Sequence, residues 1–329
     1  MQNDRTVPEV VCTMLRKLIR RMKRRARKTE QPVFPEAGQD DLPVSARLQD
    51  NVRVLRERFA NCTDCVFRPI EAGPHRALIV FFEGMTDVDQ MGEHVIRSLI
   101  RERSREADAE SILRENTGYV PLPSLEATGR MREAIEQILA GNAALFMDGS
   151  EEALILKLLN AQRRSVEEPQ NESLIRGPKE GFTENIRVNT ALLRLKIKST
   201  RLKLEQMTVG TESHTLVNIA YLEGACDPRL IDEVKRRLGN VRVQGALESG
   251  ILEEFLEDNK YSPFPQLQYT ERPDVVAGLL LEGKFAIFVD GTPFVLCAPV
   301  TFWQMLQSAE DYYERYMIST AIRWLRFAF

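Results

Sequence analysis

Two pairs of carboxylates stand at the ends of apolar runs, where an acid and a base for catalysis could be held. Glu83 and Asp148 are each followed by glycine, and Glu223 and Asp290 repeat this pattern later in the chain. Paired carboxylates serve general acid–base catalysis or bind a divalent cation. Glu-Gly and Asp-Gly steps also suit turns, because glycine accepts a positive φ and Asp-Gly favours hairpins. The turn interpretation is favoured, since no histidine or acidic cluster accompanies the pairs.

Sulfur and imidazole groups are sparse and scattered. Cys62 and Cys65 form a lone CxxC, which lacks the second pair of ligands that a structural zinc site needs. A thioredoxin-type CxxC follows a strand and opens a helix, whereas this one follows a predicted helix. His75, His94 and His214 are far apart in sequence. We therefore interpret the cysteines as incidental and predict no metal or cofactor.

The motif TERPD, at 270–274, has two interpretations. Thr270 can cap a helix, and Pro273 is tolerated at a helix start. Glu271 and Asp274 suit the first-turn dipole. The alternative is that Glu271 and Arg272 bind a ligand. No glycine-rich phosphate loop occurs elsewhere in the chain.

The elements that carry these residues occur twice in the same order. FEGMTD at 82–87 matches LEGACD at 222–227, and LAGNAALFMDG at 139–149 matches LEGKFAIFVDG at 281–291. Asn51 and Asn189 hold corresponding places in the preceding helices. The pattern predicts an α/β protein of two tandem related modules, each a small mixed sheet flanked by helices. Such duplication favours architecture over an active site.

Apolar periodicity and turn residues place the individual elements. Helices are predicted at 44–60, 88–104, 124–140, 183–197, 228–238, 247–257, 274–282, 301–308 and 310–326. Strands are predicted at 65–70, 77–82, 143–147, 201–208, 215–222, 284–289 and 293–298, and a returning apolar run at 153–159.

Five segments follow from this order. They are a basic tail and linker (1–43), a first module (44–162), an inter-module linker (163–181), a second module (182–308) and a C-terminal helix (309–329). Residues 1–28 carry ten Lys and Arg against two acids, although the whole chain has a net charge of -3. Residues 8–28 fit an amphipathic helix on anionic lipid, a nucleic-acid contact or a disordered tail.

The stretch 167–198 joins the two modules. Gly177-Pro178 breaks regular structure, and an amphipathic helix begins soon afterwards. We predict that Arg176, Gly177, Pro178, Lys179 and Glu180 position the modules through inter-module or inter-subunit contacts. The chain end is rich in aromatics and arginines, a composition typical of a helix approaching a bilayer, although no run of 18 apolar residues occurs.

Several stretches together resemble the A subunits of GerA-type spore germinant receptors. The resemblance is dense over 165–326, thin over 44–160 and absent over 1–43. It is carried by Glu168-Pro169, Glu172, IRGPKEGF (175–182), YLEG (221–224), RRL (236–238), SPFPQ (262–266), TERPD (270–274), LLEG (280–283), DGTPF (290–294) and SAEDYY (308–313).

The resemblance implies properties that the residues alone do not show. Members of this family have a large N-terminal soluble region followed by a membrane domain. They act with B and C subunits in the inner spore membrane, where nutrients trigger ion release and germination. This domain would then face the spore core, on the cytoplasmic side. Cys62 and Cys65 belong to no pattern of the family, which supports the incidental interpretation.

The sequence thus predicts a non-enzymatic receptor domain that acts in assembly and signal coupling. Its partners would be the B and C subunits, further copies of itself in the full complex, and the membrane through the C-terminal helices, but not nucleic acid. The alternative is a binding module for a small nutrient such as an amino acid, sugar or nucleoside. In that case a cleft between the modules would be lined by Glu223, Glu271, Arg272 and Asp290.

Overall fold

The structure is a computed structural model that describes residues 42–72, 75–97, 125–159, 172, 178–246, 248–258, 265–301, 304 and 316–328. All of them belong to one compact unit, Gln39–Phe329. The predicted basic helix at 8–28 lies outside the described residues, as does most of the predicted helix at 301–308.

The first module is built on a sheet of five strands, ordered β1-β2-β4-β5-β3. Helix α1 precedes the sheet, α2 continues as a π-helical turn (Met91–Ile96), and α3 lies between the third and fourth strands. The elements are α1 (Leu48–Arg58), β1 (Cys65–Ala72), β2 (His75–Phe82), α2 (Val88–Gln90), β3 (Leu125–Thr128), α3 (Met131–Leu139), β4 (Ala143–Met147) and β5 (Ala153–Leu156).

The second module repeats the arrangement with a sheet ordered β6-β7-β9-β10-β8. A further helix, α8, ends the described chain. The elements are α4 (Ile186–Lys196), β6 (Leu202–Val209), β7 (Thr215–Leu222), α5 (Pro228–Gly239), α6 (Ser249–Leu256), β8 (Gln268–Thr270), α7 (Pro273–Leu281), β9 (Phe285–Val289), β10 (Val295–Ala298) and α8 (Tyr316–Ala328).

The predicted fold class, two tandem α/β modules, is confirmed, and two details of it need correction. All pairings between the described strands are antiparallel, so the sheets are not mixed. The predicted helix at 124–140 begins as strand β3, and the proline-rich segment after 262 contains strand β8. Both strands have only three or four residues, and their partners β5 and β10 lie some 25 residues further along the chain. A local pattern this short cannot distinguish a strand from a helix start.

Apolar layers cover both faces of each sheet. In β2, Leu78 and Val80 pack with α1 and α3 on one face, whereas Ile79 and Phe81 pack with Met91 on the other. Successive strand residues point to opposite faces, so a strand covered on both sides needs an unbroken apolar run. This explains the sequence ALIVFF at 77–82.

Two buried asparagines fix the start of the first helix in each module. Asn189 accepts a hydrogen bond from Thr183 N at 2.7 Å and donates one to Thr183 O at 2.6 Å. Asn51 makes the same pair of bonds with Ser45, at 2.9 and 2.7 Å. Both side chains are at most 2% exposed. The repeated Asn is therefore a structural residue in both copies.

We predict that Asn189→Leu and Asn51→Leu each destabilise the protein by about 2–4 kcal/mol, because each leaves a backbone N–H and C=O without their partner. Urea denaturation provides the measurement. Asn142→Ala is the control, since the Asn142 side chain donates to the side chain of Gln137 rather than to a backbone group, and its loss should cost about 1 kcal/mol or less. Equal losses in all three variants would contradict the prediction.

Candidate functional site

A buried ion pair joins the two modules. Arg194, on α4, donates from Nε to Asp64 Oδ2 at 2.7 Å and from Nη2 to Asp64 Oδ1 at 2.9 Å. The side chains are 1% and 8% exposed. Arg194 Nη1 also donates to Leu202 O at 2.8 Å, and the guanidinium lies 4.4 Å from the centroid of the Phe82 ring. Asp64 and Phe82 belong to the first module, so this arginine connects both.

Arg194 remains charged despite its burial. Burial alone would lower the pKa of Arg194, but the Asp64 carboxylate and its hydrogen bonds raise it, and the net pKa lies above its ordinary value. Removing one member of a buried pair leaves an uncompensated charge and costs about 3–5 kcal/mol. Arg194 and Asp64 are thus mutually dependent parts of the joint.

Backbone hydrogen bonds reinforce the joint at the edge of the second sheet. Thr63 N donates to Leu204 O at 2.9 Å, and Leu204 N donates to Asn61 O at 3.0 Å. Asn61 has a φ of 58°, a conformation in which asparagine is tolerated better than most residues. The turn before β1 therefore covers the open edge of β6, where unpaired backbone groups would otherwise be exposed.

A second contact lies at the Glu83-Gly84 turn. The Glu83 carboxylate is 3.0 Å from Arg187 Nη1 on α4, and both side chains are partly exposed. Gly84 has a φ of 78°, and a Cβ added there would lie 2.7 Å from Arg187 O and 3.3 Å from the Cβ of Ala191. Only glycine allows the turn to approach the helix backbone this closely.

A polar cavity of about 60 Å³ lies between these two contacts. The first module contributes Thr63, Asp64 and Glu83 to its lining. The second contributes Ile186, Arg187, Thr190, Gln206, Leu216 and Asn218. Asn218 is 8% exposed, and its Oδ1 has no hydrogen-bond partner among the residues that the structure describes. A buried polar atom without a partner costs roughly 1–3 kcal/mol.

At the cavity the second module departs from the first. Gln206 and Asn218 face each other across β6 and β7, and their counterparts across β1 and β2 are Pro69 and Leu78. Leu78 is packed in the apolar core of its module. A residue-by-residue comparison of the two copies in the sequence could have identified Asn218 as a candidate functional residue.

The four residues predicted to line one cleft lie at separate places. Glu223 is exposed at one end of β7, 3.4 Å from Lys203 Nζ. Asp290 N bonds to Leu216 O at the other end, roughly 20 Å away along the strand. Asp290 Oδ1 accepts from Ile186 N at the start of α4, at 3.2 Å, and so acts as a helix cap.

The remaining two residues, Glu271 and Arg272, sit together at the start of α7. Glu271 O accepts from Phe182 N at 2.7 Å, and Arg272 Nη2 donates to Asp274 Oδ2 at 2.7 Å. Both are buried. Neither they nor Glu223 and Asp290 line the cavity at the joint.

The first module contains the same cap. Asp148 Oδ1 accepts from Leu48 N at 3.0 Å, so Asp148 and Asp290 play equivalent parts. Glu83 lies near Arg187 rather than near Asp148. The Glu-Gly and Asp-Gly steps thus serve turns and caps in this fold.

Of the linker residues predicted to position the modules, Arg176 and Gly177 lie outside the described residues. Pro178 is half-buried and Lys179 is exposed. Glu180 binds Lys196 Nζ at 2.7 Å, which ties the linker to α4 of the second module. The inter-module contacts set out above come from the turns at 61–64 and 83–84, and the linker residues remain a prediction.

The cysteines of the CxxC are buried and free. Burial raises the pKa of both the Cys62 and the Cys65 thiol, which makes them poor nucleophiles. Cys62 Sγ donates to Leu202 O at 3.5 Å, a packing role at the joint. Among the described residues, no group of three or more His, Cys, Asp or Glu side chains could hold a metal ion.

The architecture defines a class of protein: a duplicated α/β module with a buried ion pair at the joint between the copies. The chain belongs to the GerA family of spore germination proteins, because the family described as Bacillus/Clostridium GerA spore germination protein matches residues 53–329. Within the part of the chain that the structure describes, no helix is long and apolar enough to span a bilayer.

Two relatives illustrate the match. The chain is 46% identical over 290 residues to the uncharacterized membrane protein YfkQ of Bacillus subtilis, covering 88% of this chain and 56% of YfkQ. It is 38% identical over 287 residues to spore germination protein KA of the same organism, covering 86% and 52%. The chain thus spans about half the length of these relatives.

A solved structure shows which part of a related protein this chain matches. The N-terminal domain of the A subunit of the Bacillus megaterium spore germinant receptor GerK3 superposes with a TM-score of 0.62 at 31% identity. The match covers 79% of this chain and 98% of that domain. The chain therefore corresponds to the N-terminal domain of a germinant receptor A subunit.

We predict that Gly84→Ala destabilises the protein clearly more than Gly224→Ala. Both glycines have a φ near 80°, so each substitution costs about 1 kcal/mol in backbone strain. At Gly224 a Cβ would meet only the flexible end of Arg201, whereas at Gly84 it meets the backbone of α4, adding roughly 1–3 kcal/mol. Chemical denaturation of the two variants gives the difference. An equal loss of stability in the two variants would contradict the prediction, because it would mean that α4 moves away from the added Cβ at no cost.

Proposed function

We propose that this domain acts in the assembly and signal coupling of a germinant receptor, on the cytoplasmic, core-facing side of the inner spore membrane. The observation that carries the proposal is the joint, where a buried bidentate ion pair fixes two modules of one fold. A scaffold fixed in this way can transmit a displacement from one module to the other without losing it in flexible loops. Membership in the GerA family supports the setting in spore germination.

The partners in this proposal are the B and C subunits of the same receptor, further copies of the A subunit, and the membrane. The exposed apolar residues of α8 support a contact of that helix with lipid or with membrane-embedded chain. Trp324 and Leu325 are each 61% exposed, whereas Arg323 and Arg326 are half-buried. A helix that turns aromatic and aliphatic side chains outward is suited to an apolar or interfacial environment.

The test changes the joint in the complete A subunit, in spores. Arg194→Met leaves Asp64 buried and unpaired, and we expect it to reduce both the amount of B and C subunits in the inner membrane and the germination response to nutrients. The double variant Asp64→Leu/Arg194→Met removes both charges, and we expect it to recover much of the assembly.

The control is Glu136→Gln, which breaks an exposed ion pair with Arg132 that contributes little to stability. The proposal would be contradicted if Arg194→Met spores had normal receptor levels and a normal nutrient response. Normal assembly with a lost response would support coupling but remove the part in assembly.

A second candidate function, the binding of a small nutrient between the modules, is favoured by the cavity. Its lining comes from both modules and includes Asn218, a buried polar residue of the second module. Ligand sites are often concave and lie where two domains meet. A ligand held there would contact both modules and could shift their relative position, so the two functions are compatible.

Calorimetry of the chain with amino acids, sugars and nucleosides tests the second candidate. We expect heat of binding from at least one class, and we expect that heat to weaken when Asn218 is replaced by Leu. No heat from any compound at millimolar concentration would contradict ligand binding by this domain and leave the structural role alone.

A further inference from the structure

We infer that the outer edge of the first sheet is a docking surface for another protein chain, which pairs its backbone with Phe67 and places a carboxylate on Arg56. The partner is an acidic turn or extended segment of a polypeptide other than this one. Neither function proposed above requires this surface, so it stands apart from both. The second module shows the equivalent surface occupied, and the first module shows it open.

The joint shows how such an edge is occupied in the second module. On β6, Leu204 N donates to Asn61 O at 3.0 Å, and Leu204 O accepts from Thr63 N at 2.9 Å. The same turn carries Asp64, which binds Arg194 on the helix that precedes β6. An occupied edge of this fold therefore combines two backbone hydrogen bonds with one ion pair.

The edge strand of the first module has the same geometry. Phe67 pairs with Val80 as Leu204 pairs with Ala220, and both partners lie three residues before a Glu-Gly turn. Since Leu204 bonds outward and the registers match, the N–H and C=O of Phe67 also face away from β2. Among the described residues, Phe67 makes no backbone hydrogen bond outside its strand pairing. Its two outward groups are therefore open to another chain.

Arg56 lies where the second module makes its ion pair. It follows Asn51 by five residues, as Arg194 follows Asn189. Its guanidinium is 5.9 Å from the centroid of the Phe67 ring, which places the charge at the edge strand. Arg56 is exposed, whereas Arg194 is 1% exposed. Within the part of the chain that the structure describes, Arg56 has no ion pair, so its charge is available to a carboxylate from outside.

The exposure of the two edges differs as an open and an occupied surface should differ. Leu204 is 0% exposed, whereas Phe67 is only half-buried. The open edge of a sheet is a template for pairing with another chain, and proline or charged residues restrict that pairing. Arg68 and Pro69 follow Phe67 directly and are exposed. A partner can therefore pair at Phe67 but cannot extend along β1, which matches the single strand residue that the joint uses on β6.

The charges exclude the two equivalent turns of a second copy as the occupant. Glu223 N bonds to Arg201 O as Glu83 N bonds to Asp64 O, at 2.8 and 2.9 Å, so Arg201 takes the place of Asp64 in the second module. That turn would bring a guanidinium against Arg56. The Asp64 turn is already bound within its own chain. A different chain with Asp or Glu at this place would form charge-assisted hydrogen bonds instead.

The experiment titrates the 329-residue chain with a peptide that copies the turn at 59–66, with serine in place of both cysteines. We expect saturable NMR shifts at the Phe67 amide and at Arg56 Nε–H, and none at Leu204, whose edge is occupied. A peptide with asparagine in place of the aspartate should bind about tenfold more weakly, because hydrogen bonds to charged groups are stronger than neutral ones. Equal binding of the two peptides would overturn the carboxylate requirement, and no binding of either would overturn the docking surface.

Two arginine variants assign the contact. Arg56→Gln should weaken the aspartate peptide about tenfold by the same reasoning, and it should leave Tm unchanged because Arg56 is exposed. Arg68→Gln is the matched control, since Arg68 lies on the opposite face of the sheet from Phe67, together with Val66 and Ile70. It should not change the affinity. Equal weakening by both variants would mean that the peptide responds only to positive charge, and the contact with Arg56 would be wrong.

A cross-link in spores identifies the occupant. The complete A subunit carries Arg68→benzoylphenylalanine, and the cross-linked segment is sequenced after irradiation. We expect a different polypeptide, joined at a segment that contains Asp or Glu, and we expect Arg56→Glu to abolish the cross-link. Cross-links only between copies of the A subunit, or none at all, would overturn the inference. Either result would leave the functions proposed for the joint and its cavity intact.

Discussion

The structure depends on one physical constraint: the N–H donors of a buried guanidinium must have hydrogen-bond acceptors. The Arg194 guanidinium donates to Asp64 and to Leu202 O, and it packs on the face of the Phe82 ring. These partners come from the turn before β1, the start of β6 and the end of β2. Because a bidentate pair tolerates little displacement, all three elements are fixed relative to α4.

The other features of the joint follow from that fixed geometry. With the turn held by Asp64, its backbone lies beside β6 and pairs with Leu204. With Phe82 held under the guanidinium, the next turn meets α4 so closely that Gly84 is required. The space left between the two contacts is the cavity. It is therefore a consequence of the joint, and its polar lining distinguishes it from an ordinary packing defect.

Much of the fold could be predicted because its sequence patterns are short and occur in both modules. The sequence itself shows the apolar run at 77–82, the Glu-Gly and Asp-Gly turns, and the repeated asparagines Asn51 and Asn189. The joint was not predicted, because Arg194 and Asp64 are 130 residues apart and no periodicity connects them. Asp64 lies within CTDC. The two cysteines of this motif were considered as metal ligands or redox groups, whereas the carboxylate between them forms the buried ion pair. The residues predicted to line a cleft between the modules are not among those that line the cavity at the joint.

The repeated hydrogen bonds also show what a further copy, added in the same way as the second module, would meet. The joint connects two non-equivalent surfaces, and such a contact has no built-in end, so copies could in principle continue into an open filament. Equivalent backbone bonds align Asp64 with Arg201, and the matched asparagines align Arg194 with Arg56. A further copy added in the same way would therefore bring arginine against arginine. Like charges would therefore disfavour a further copy at this surface, much as capping units disfavour continuation in repeat proteins.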